Sequence, residues 1–234
     1  MPDRDEADGE VTRVRIGAFL LAGQFPGQDH AAVLERTVAA AVAAEQAGFD
    51  DVWIAEHHFM SYGVCPSAIT CAAFVLGRTR RIEVGTAVSV LSTVHPVAIG
   101  EQAALLDQLS GGRFRLGVGR GGPWVDLEVF GTGGARVEAD FEPSLDLLLR
   151  WLTSEHVAGE HDPFRFREVA VVPRPVGPRL PVLLACTSTA STRLAADVSL
   201  ASTAQSQETC TTTVFASPPS TNSMMQTLPA RITK

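Results

Sequence analysis

Residues 51–60 read DDVWIAEHHF, an apolar run that ends in a glutamate beside two histidines. Three titratable groups at the exit of a buried segment suit more than one kind of chemistry. An imidazole whose ordinary pKa lies near 6.5 accepts and releases protons at neutral pH, so His57 or His58 can serve as an acid or base. A carboxylate and an imidazole together can instead ligate a metal; Glu56 and His58 then need a third ligand, and His95 is the only one nearby. The third reading is structural, with the histidines satisfying backbone groups at a strand exit. Alternation along an extended strand puts Trp53, Ala55 and His57 on one face and Glu56 and His58 on the other, so only one histidine of the pair faces a given pocket.

The elements that must position this cluster repeat along the chain. Residues 13–21, RVRIGAFLL, form a β-rich run entering the turn-forming GQFPGQD of 23–29. From His30 to Ala47, alanine dominates and Val33, Leu34, Val38 and Val42 fall at helical spacing, with Asp29 as N-cap and Gly48 closing the helix. DVWIA follows as a strand without polar alternation, the pattern of a strand covered on both faces. The spacing then predicts a helix over 66–76, a third strand over 81–91, a helix over 96–109 and a fourth strand over 113–119. A helix over 141–152 with Pro143 in its first turn, a hairpin insertion within 156–172, a fifth parallel strand over 181–186 and a helix from 188 complete the pattern. Repeated βα units argue for an α/β fold. No GxGxxG follows the first strand, which favours a barrel over a dinucleotide-binding sheet.

Composition narrows the functions. The chain has 234 residues, 45% of them hydrophobic, and a net charge of −7, with a mean hydropathy of +0.13 and a pI of about 5.3. One sizeable core fits that length. Clustered Lys and Arg for nucleic acid or an anionic membrane are missing, and no apolar run reaches the length of a membrane span, so a cytoplasmic protein is expected. Cys65, Cys71, Cys186 and Cys210 show no metal-type spacing and read as reduced thiols. Residues 1–12 form an acidic arm, expected to be disordered. The Ser/Thr-rich stretch 201–234 lacks an apolar period and reads the same way.

The ordered segments IGAFLL, GFDDVWIAEHHF, IEVGTAVSVL followed by HPV, LLDQLSGGRFRLGVGRG and PVLLACTSTAST resemble the bacterial luciferase-like flavin-dependent monooxygenases over residues 13–200. That resemblance implies a TIM-barrel-like fold, reduced FMN as cosubstrate delivered by a separate flavin reductase, and oxygenation of a small organic substrate such as an aldehyde. A deazaflavin with hydride transfer is the related alternative. By position the resemblance implies His57 as the catalytic histidine, and Phe19, Ala87 and Val88 beside the flavin ring, with a non-proline cis peptide at Ala87–Val88. It also implies Arg120, Ser188 and Ser191 at the flavin phosphate, where a guanidinium, hydroxyls and helix N-terminal amides make an anion site. His95, in an HP pair shared with the family, is then loop structure lining the site, and no metal is required. Thr187 and Gly119 depart from the luciferase pattern and inherit no role. Only five clear βα units, with the start of a sixth, precede the tail, so the barrel is expected to stop early. Such a barrel needs covering by a homo- or hetero-oligomeric partner or by its own tail, and a non-catalytic or vestigial flavin-binding protein is the competing expectation.

Overall fold

The computed structural model describes residues 14–121, 123–131, 134–160, 162–186 and 188–203, together with 215–216 and 226–227. The expected acidic arm, most of the expected tail, Thr187 and Cys210 lie outside the described residues.

The chain opens with β1 (Gly17–Leu20), α1 (His30–Gln46), β2 (Asp51–Ile54) and α2 (Ala68–Arg78). Next come β3 (Glu83–Thr86), β4 (Ser89–Val90), α3 (Pro96–Ser110), β5 (Phe114–Gly119), α4 (Trp124–Val129) and α5 (Gly134–Thr153). The hairpin of β6 (His156–Gly159) and β7 (Phe166–Ala170) precedes β8 (Val182–Leu184) and α6 (Thr189–Thr203), and β9 (Phe215–Ala216) pairs with β10 (Gln226–Thr227). A six-stranded parallel sheet runs β1-β2-β3-β5-β4, with β8 also on β5. This is the expected α/β fold of TIM-barrel type, and among the described residues the barrel does not close.

Cap chemistry explains the helix bounds. Asp29 Oδ1 accepts from Ala32 N at 2.8 Å. At the other end of α1, Gly48 turns left-handed (φ +82°), and the amides of Gly48 and Phe49 return to Glu45 O and Ala44 O. Pro96 starts α3 behind an N-cap His95, whose Nδ1 accepts from Val97 N at 3.2 Å.

Strand register sorts the sheet into two faces. Ala18, Val52, Val84 and Phe114 form one row; Val52, Val84 and Phe114 are fully buried in the main core, together with Val33 of α1, Val75 of α2, Ile99 of α3 and Leu148 of α5. Burying each such side chain contributes roughly 1.5–3 kcal/mol. The other face differs from the expectation that the strands are apolar on both sides. Its first row brings Asp51 and Glu83 opposite each other. Arg15 bridges both, at 3.1 and 2.6 Å, Arg115 bonds Glu83 at 2.6 Å, and the Trp53 indole N–H donates to Asp51 at 2.7 Å. The charges compensate one another, which lets a polar layer sit at the N-terminal ends of the strands.

Two elements depart from the sequence reading. The single strand expected over 81–91 is two, β3 and β4, separated by a cis peptide at Ala87–Val88. Where the ladder to β5 breaks, the Thr86 hydroxyl replaces it, donating to Gly117 O at 2.7 Å and accepting from Gly117 N at 3.0 Å. A Cβ on Gly117 would strike the Thr86 carbonyl, and one on Gly119 would meet Val88 Cγ2 at 2.7 Å, so glycine at both positions lets the β3–β4 turn lie close over β5. The helix expected to start at 141 begins at Gly134, so Pro143 lies inside it, not in its first turn. Proline removes one N–H there, and the helix continues because Phe141, Leu145, Leu148 and Leu152 on both sides of it share one buried face.

Candidate functional site

The strand β2 ends at Ile54, so the EHH segment leaves the ladder before its titratable groups begin. Glu56 is committed to the scaffold. One carboxylate oxygen accepts from Ala68 N, the first residue of α2, at 2.9 Å, and the other from Val90 N of β4 at 3.0 Å. Burial pushes its pKa up against those two donors and His58. His58 Nε2 stands 3.6 Å from Glu56 Oε1, and its ring meets Phe130 edge-on at 5.0 Å. The two residues therefore share a side, as alternation anticipates. Among the described residues no group of three or more His, Cys, Asp or Glu is placed to hold a metal ion.

His57 is placed differently. Its amide donates to Cys65 O at 3.0 Å and fixes the loop, while the ring Nδ1 is buried with no hydrogen-bond partner. Tyr62 meets the ring edge-on at 5.3 Å, and a Cβ on Gly63 would lie 2.7 Å from Nδ1. Burial lowers the pKa of His57, Asp126 raises it and His58 lowers it. Asp126 was missed in the sequence reading. It is a buried acid (3% exposed) in α4, and one of its carboxylate oxygens also has no partner. The available signal was an aspartate within the apolar run WVDLEVF, just after the glycines at 121 and 122.

The remaining expected residues gather at the same, C-terminal end of the sheet. Phe19 is exposed and shares a row with Trp53 and Gly85. Ala87 and Val88 are half-buried in the turn between β3 and β4, where Ala87 N donates to Ile54 O at 2.7 Å. Arg120 is exposed immediately after β5, its guanidinium 5.3 Å from the Phe141 ring centroid. It lines a cavity of about 210 Å³ with Ser92, His95, Asp140, Phe141 and Phe164 among the walls. The Ser92 hydroxyl there is buried and unpartnered. His95, in the wall of the same cavity, meets Phe164 edge-on at 4.9 Å.

His57, Phe19, Ala87, Val88, Ser188 and Ser191 do not line this cavity. Ser188 and Ser191 form a reciprocal cap on α6. Ser188 Oγ accepts from Ser191 N at 3.2 Å, and Ser191 Oγ accepts from Ser188 N at 3.1 Å. His57 and Arg120 are nevertheless tied through the scaffold. Glu56, beside His57, holds Val90; Val90 pairs with Gly119, and Leu91 N donates to Gly119 O at 2.9 Å, next to Arg120.

The chain is similar to known proteins. The family model described as luciferase-like monooxygenase matches residues 14–209. The alkanal monooxygenase alpha chain of the Kryptophanaron alfredi symbiont is 36% identical over 185 residues, 79% of this chain and 52% of that one. The chain thus spans about half the length of the curated relatives it matches. The crystal structure of monooxygenase RslO1 from Streptomyces bottropensis superposes with a TM-score of 0.75 at 28% identity, covering 80% of this chain and 58% of that one. The oxygenating constituent of 3,6-diketocamphane monooxygenase from Pseudomonas putida, in complex with FMN, superposes with a TM-score of 0.69. At 20% identity, with 79% of this chain and 55% of that one covered, it is a likeness of fold.

Proposed function

This chain belongs to the luciferase-like monooxygenase family, and we propose that it binds reduced FMN at the C-terminal end of its sheet and oxidises a small organic substrate, aldehyde-like or a natural-product intermediate, with dioxygen. The observation that carries this reading is the cavity in which the Arg120 guanidinium accompanies an unpartnered Ser92 hydroxyl. A phosphate would satisfy both, since charge-assisted hydrogen bonds to a guanidinium are among the strong ones. About 210 Å³ is less than the roughly 300 Å³ at which pockets for drug-sized ligands begin, so the phosphate end is the part of the flavin that fits there. Ser188 and Ser191, at the N-terminus of α6, lie outside that cavity and would reach the phosphate only by exchanging the bonds of their reciprocal cap for it. Phe19, Ala87 and Val88 would border the ring.

When bound, a reduced flavin delivered by a separate reductase would supply the electrons for activating dioxygen. The chain's own contribution is placement and proton handling. Burial lowers the His57 pKa and so favours the neutral imidazole, whose Nδ1 is buried without a hydrogen-bond partner; a ring of this kind would serve as the proton acceptor. The rings of Tyr62, Phe59 and Phe130 stand around the two histidines, and all three are themselves exposed.

Anaerobic fluorescence titration with reduced FMN tests the reading. Saturable binding is expected, weakened about tenfold or more in Arg120→Ala, as loss of one charge-assisted contact of about 1.5–3 kcal/mol requires. Equal binding by the two proteins would remove the phosphate assignment, and no binding would remove the flavin. His57→Ala is expected to keep the flavin and lose turnover by about 10²-fold or more. A chain that binds flavin but turns nothing over when given a reductase is the non-catalytic alternative. Tighter binding of a reduced deazaflavin in the same titration would transfer the reading to hydride transfer.

A further inference from the structure

We propose that Cys65 and Cys71 form a modification site, a pair of thiols that hydrogen peroxide converts to a disulfide behind the loop of His57. Its consequence for turnover rests on the function proposed above; the bond itself does not.

The segment between β2 and α2 folds the first cysteine back onto the helix that carries the second. Cys65 Sγ donates to Ser67 O at 3.4 Å, and Cys71 N donates to the same oxygen at 3.1 Å. One carbonyl, that of the N-cap residue, therefore holds the Cys65 thiol against the first turn of α2. The two cysteine side chains are also hydrogen-bonded to each other, and both thiols are free. Cysteines far apart, or directed away from one another, cannot be bridged without backbone movement. This pair starts in contact.

The two sulfurs are not equivalent. Cys65 is 2% exposed and belongs to the main core, whereas Cys71 is half-buried and packs at the margin of that core. The hydrogen bond from Cys65 lowers the pKa of the Cys71 thiol against the burial that raises it; the same bond, and then burial, push the Cys65 thiol up. Cys71 is thus the attacking thiolate and Cys65 the resolving thiol. The Cys71 sulfur attacks one peroxide oxygen, the O–O bond breaks, hydroxide leaves and a sulfenic acid remains. The Cys65 sulfur then displaces the sulfenic hydroxyl, which departs as water with the Cys65 proton. The two thiols lose two electrons, and peroxide takes them up.

The bond would be felt at His57. Cys65 O accepts from His57 N at 3.0 Å, and Glu56 already ties the start of α2 to the same loop through Ala68 N at 2.9 Å. A disulfide would add a covalent link between that loop and α2.

The test exposes the flavin-free chain, reduced and freed of reductant, to hydrogen peroxide and then to a thiol-alkylating reagent. Both cysteines lie in the tryptic peptide Thr37–Arg78. That peptide is expected to lose two hydrogens, to resist alkylation, and to regain both thiols after treatment with a phosphine reductant. Cys186→Ser is expected to change none of this. In Cys65→Ser, dimedone is expected to trap a sulfenic acid at Cys71, and in Cys71→Ser the buried Cys65 is expected to escape it. The His57 amide resonance is expected to move on oxidation of the wild-type chain, because its acceptor is Cys65 O. Full alkylation of both thiols after peroxide, or a bridge to Cys186 or Cys210 instead, would overturn the proposal. The wild-type peptide decides the matter if a serine variant fails to fold. Because no flavin is present, that result would leave the FMN reading intact, just as absent flavin binding would leave the disulfide intact.

Discussion

The three polar residues of EHH divide their labour according to what each side chain can reach. Glu56 finds two backbone donors and becomes a staple between β4 and α2. His58 lies against that staple and the Phe130 ring. His57 Nδ1 and His58 Nε2 are both buried without a hydrogen-bond partner, but His58 has the Glu56 carboxylate 3.6 Å away. Sequence alternation correctly separated His57 from the other two, because side-chain direction persists a little beyond the strand. The close neighbour Gly63 could not be read, since the chain between β2 and α2 folds back on itself without any periodic signal. Gly63 makes a sharp prediction. Its φ lies outside the left-handed region, so alanine is allowed by the backbone there. The obstacle is space: a Cβ would lie 2.7 Å from His57 Nδ1 and 3.1 Å from Leu21 O. One neighbour is a backbone carbonyl that cannot yield, so the imidazole must. Gly63→Ala is expected to cost about 1–3 kcal/mol in urea unfolding, as overpacking does, and to displace the His57 ring resonances. Wild-type stability together with unchanged His57 shifts would show that the loop has slack the structure does not suggest.

Elements were legible where one signal governed them. Asp29, Gly48 and Pro96 mark helix ends by cap chemistry alone. The Ala87–Val88 cis peptide at which the third strand breaks was implied by the resemblance, whereas periodicity alone read 81–91 as one strand; the replacement bonds come from Thr86, a residue equally at home in an unbroken strand. Another contact beyond local pattern joins α1 to the loop before β3. The Glu45 carboxylate, near the end of α1, accepts from the amides of Arg80, Arg81 and Ile82 at 2.8, 2.6 and 3.0 Å. Burial would raise its pKa, but the three donors prevail and hold it at about 2, below the ordinary 4.5. A carboxylate depressed in the folded state adds stability that is present above the unfolded pKa and lost as pH falls through the folded one. Glu45→Gln is therefore expected to lower stability by about 1 kcal/mol at pH 7, discounted for the solvent around this carboxylate. Urea melts should show the gap to wild type narrowing between about pH 4.5 and pH 2. A gap that stays constant over that range would separate the clamp from the charge.

At the scale of the molecule, the barrel class came from resemblance and the five βα units from periodicity, while the polar layer under the sheet was hidden by the apolar look of DVWIA. The same layer now bears on association. Among the described residues β1 pairs only with β2, and β8 only with β5, so each presents an edge of unpaired backbone groups. Long charged side chains are the usual protection of an edge. On the β1 side, Arg15 is drawn inward to Asp51 and Glu83, while Val14, Ile16 and Phe19 are 80%, 58% and 41% exposed. An apolar edge with its nearest cation turned away is a template for another strand. Sedimentation velocity on this chain is expected to show species heavier than the monomer, growing with concentration. Ile16→Lys should shift the distribution back toward the monomer without changing the far-ultraviolet circular dichroism, since the bond from Ile16 N to the Asp50 carboxylate at 2.8 Å does not depend on the side chain of residue 16. A wild-type chain that sediments as a single monomer at every concentration would mean that the edge is covered.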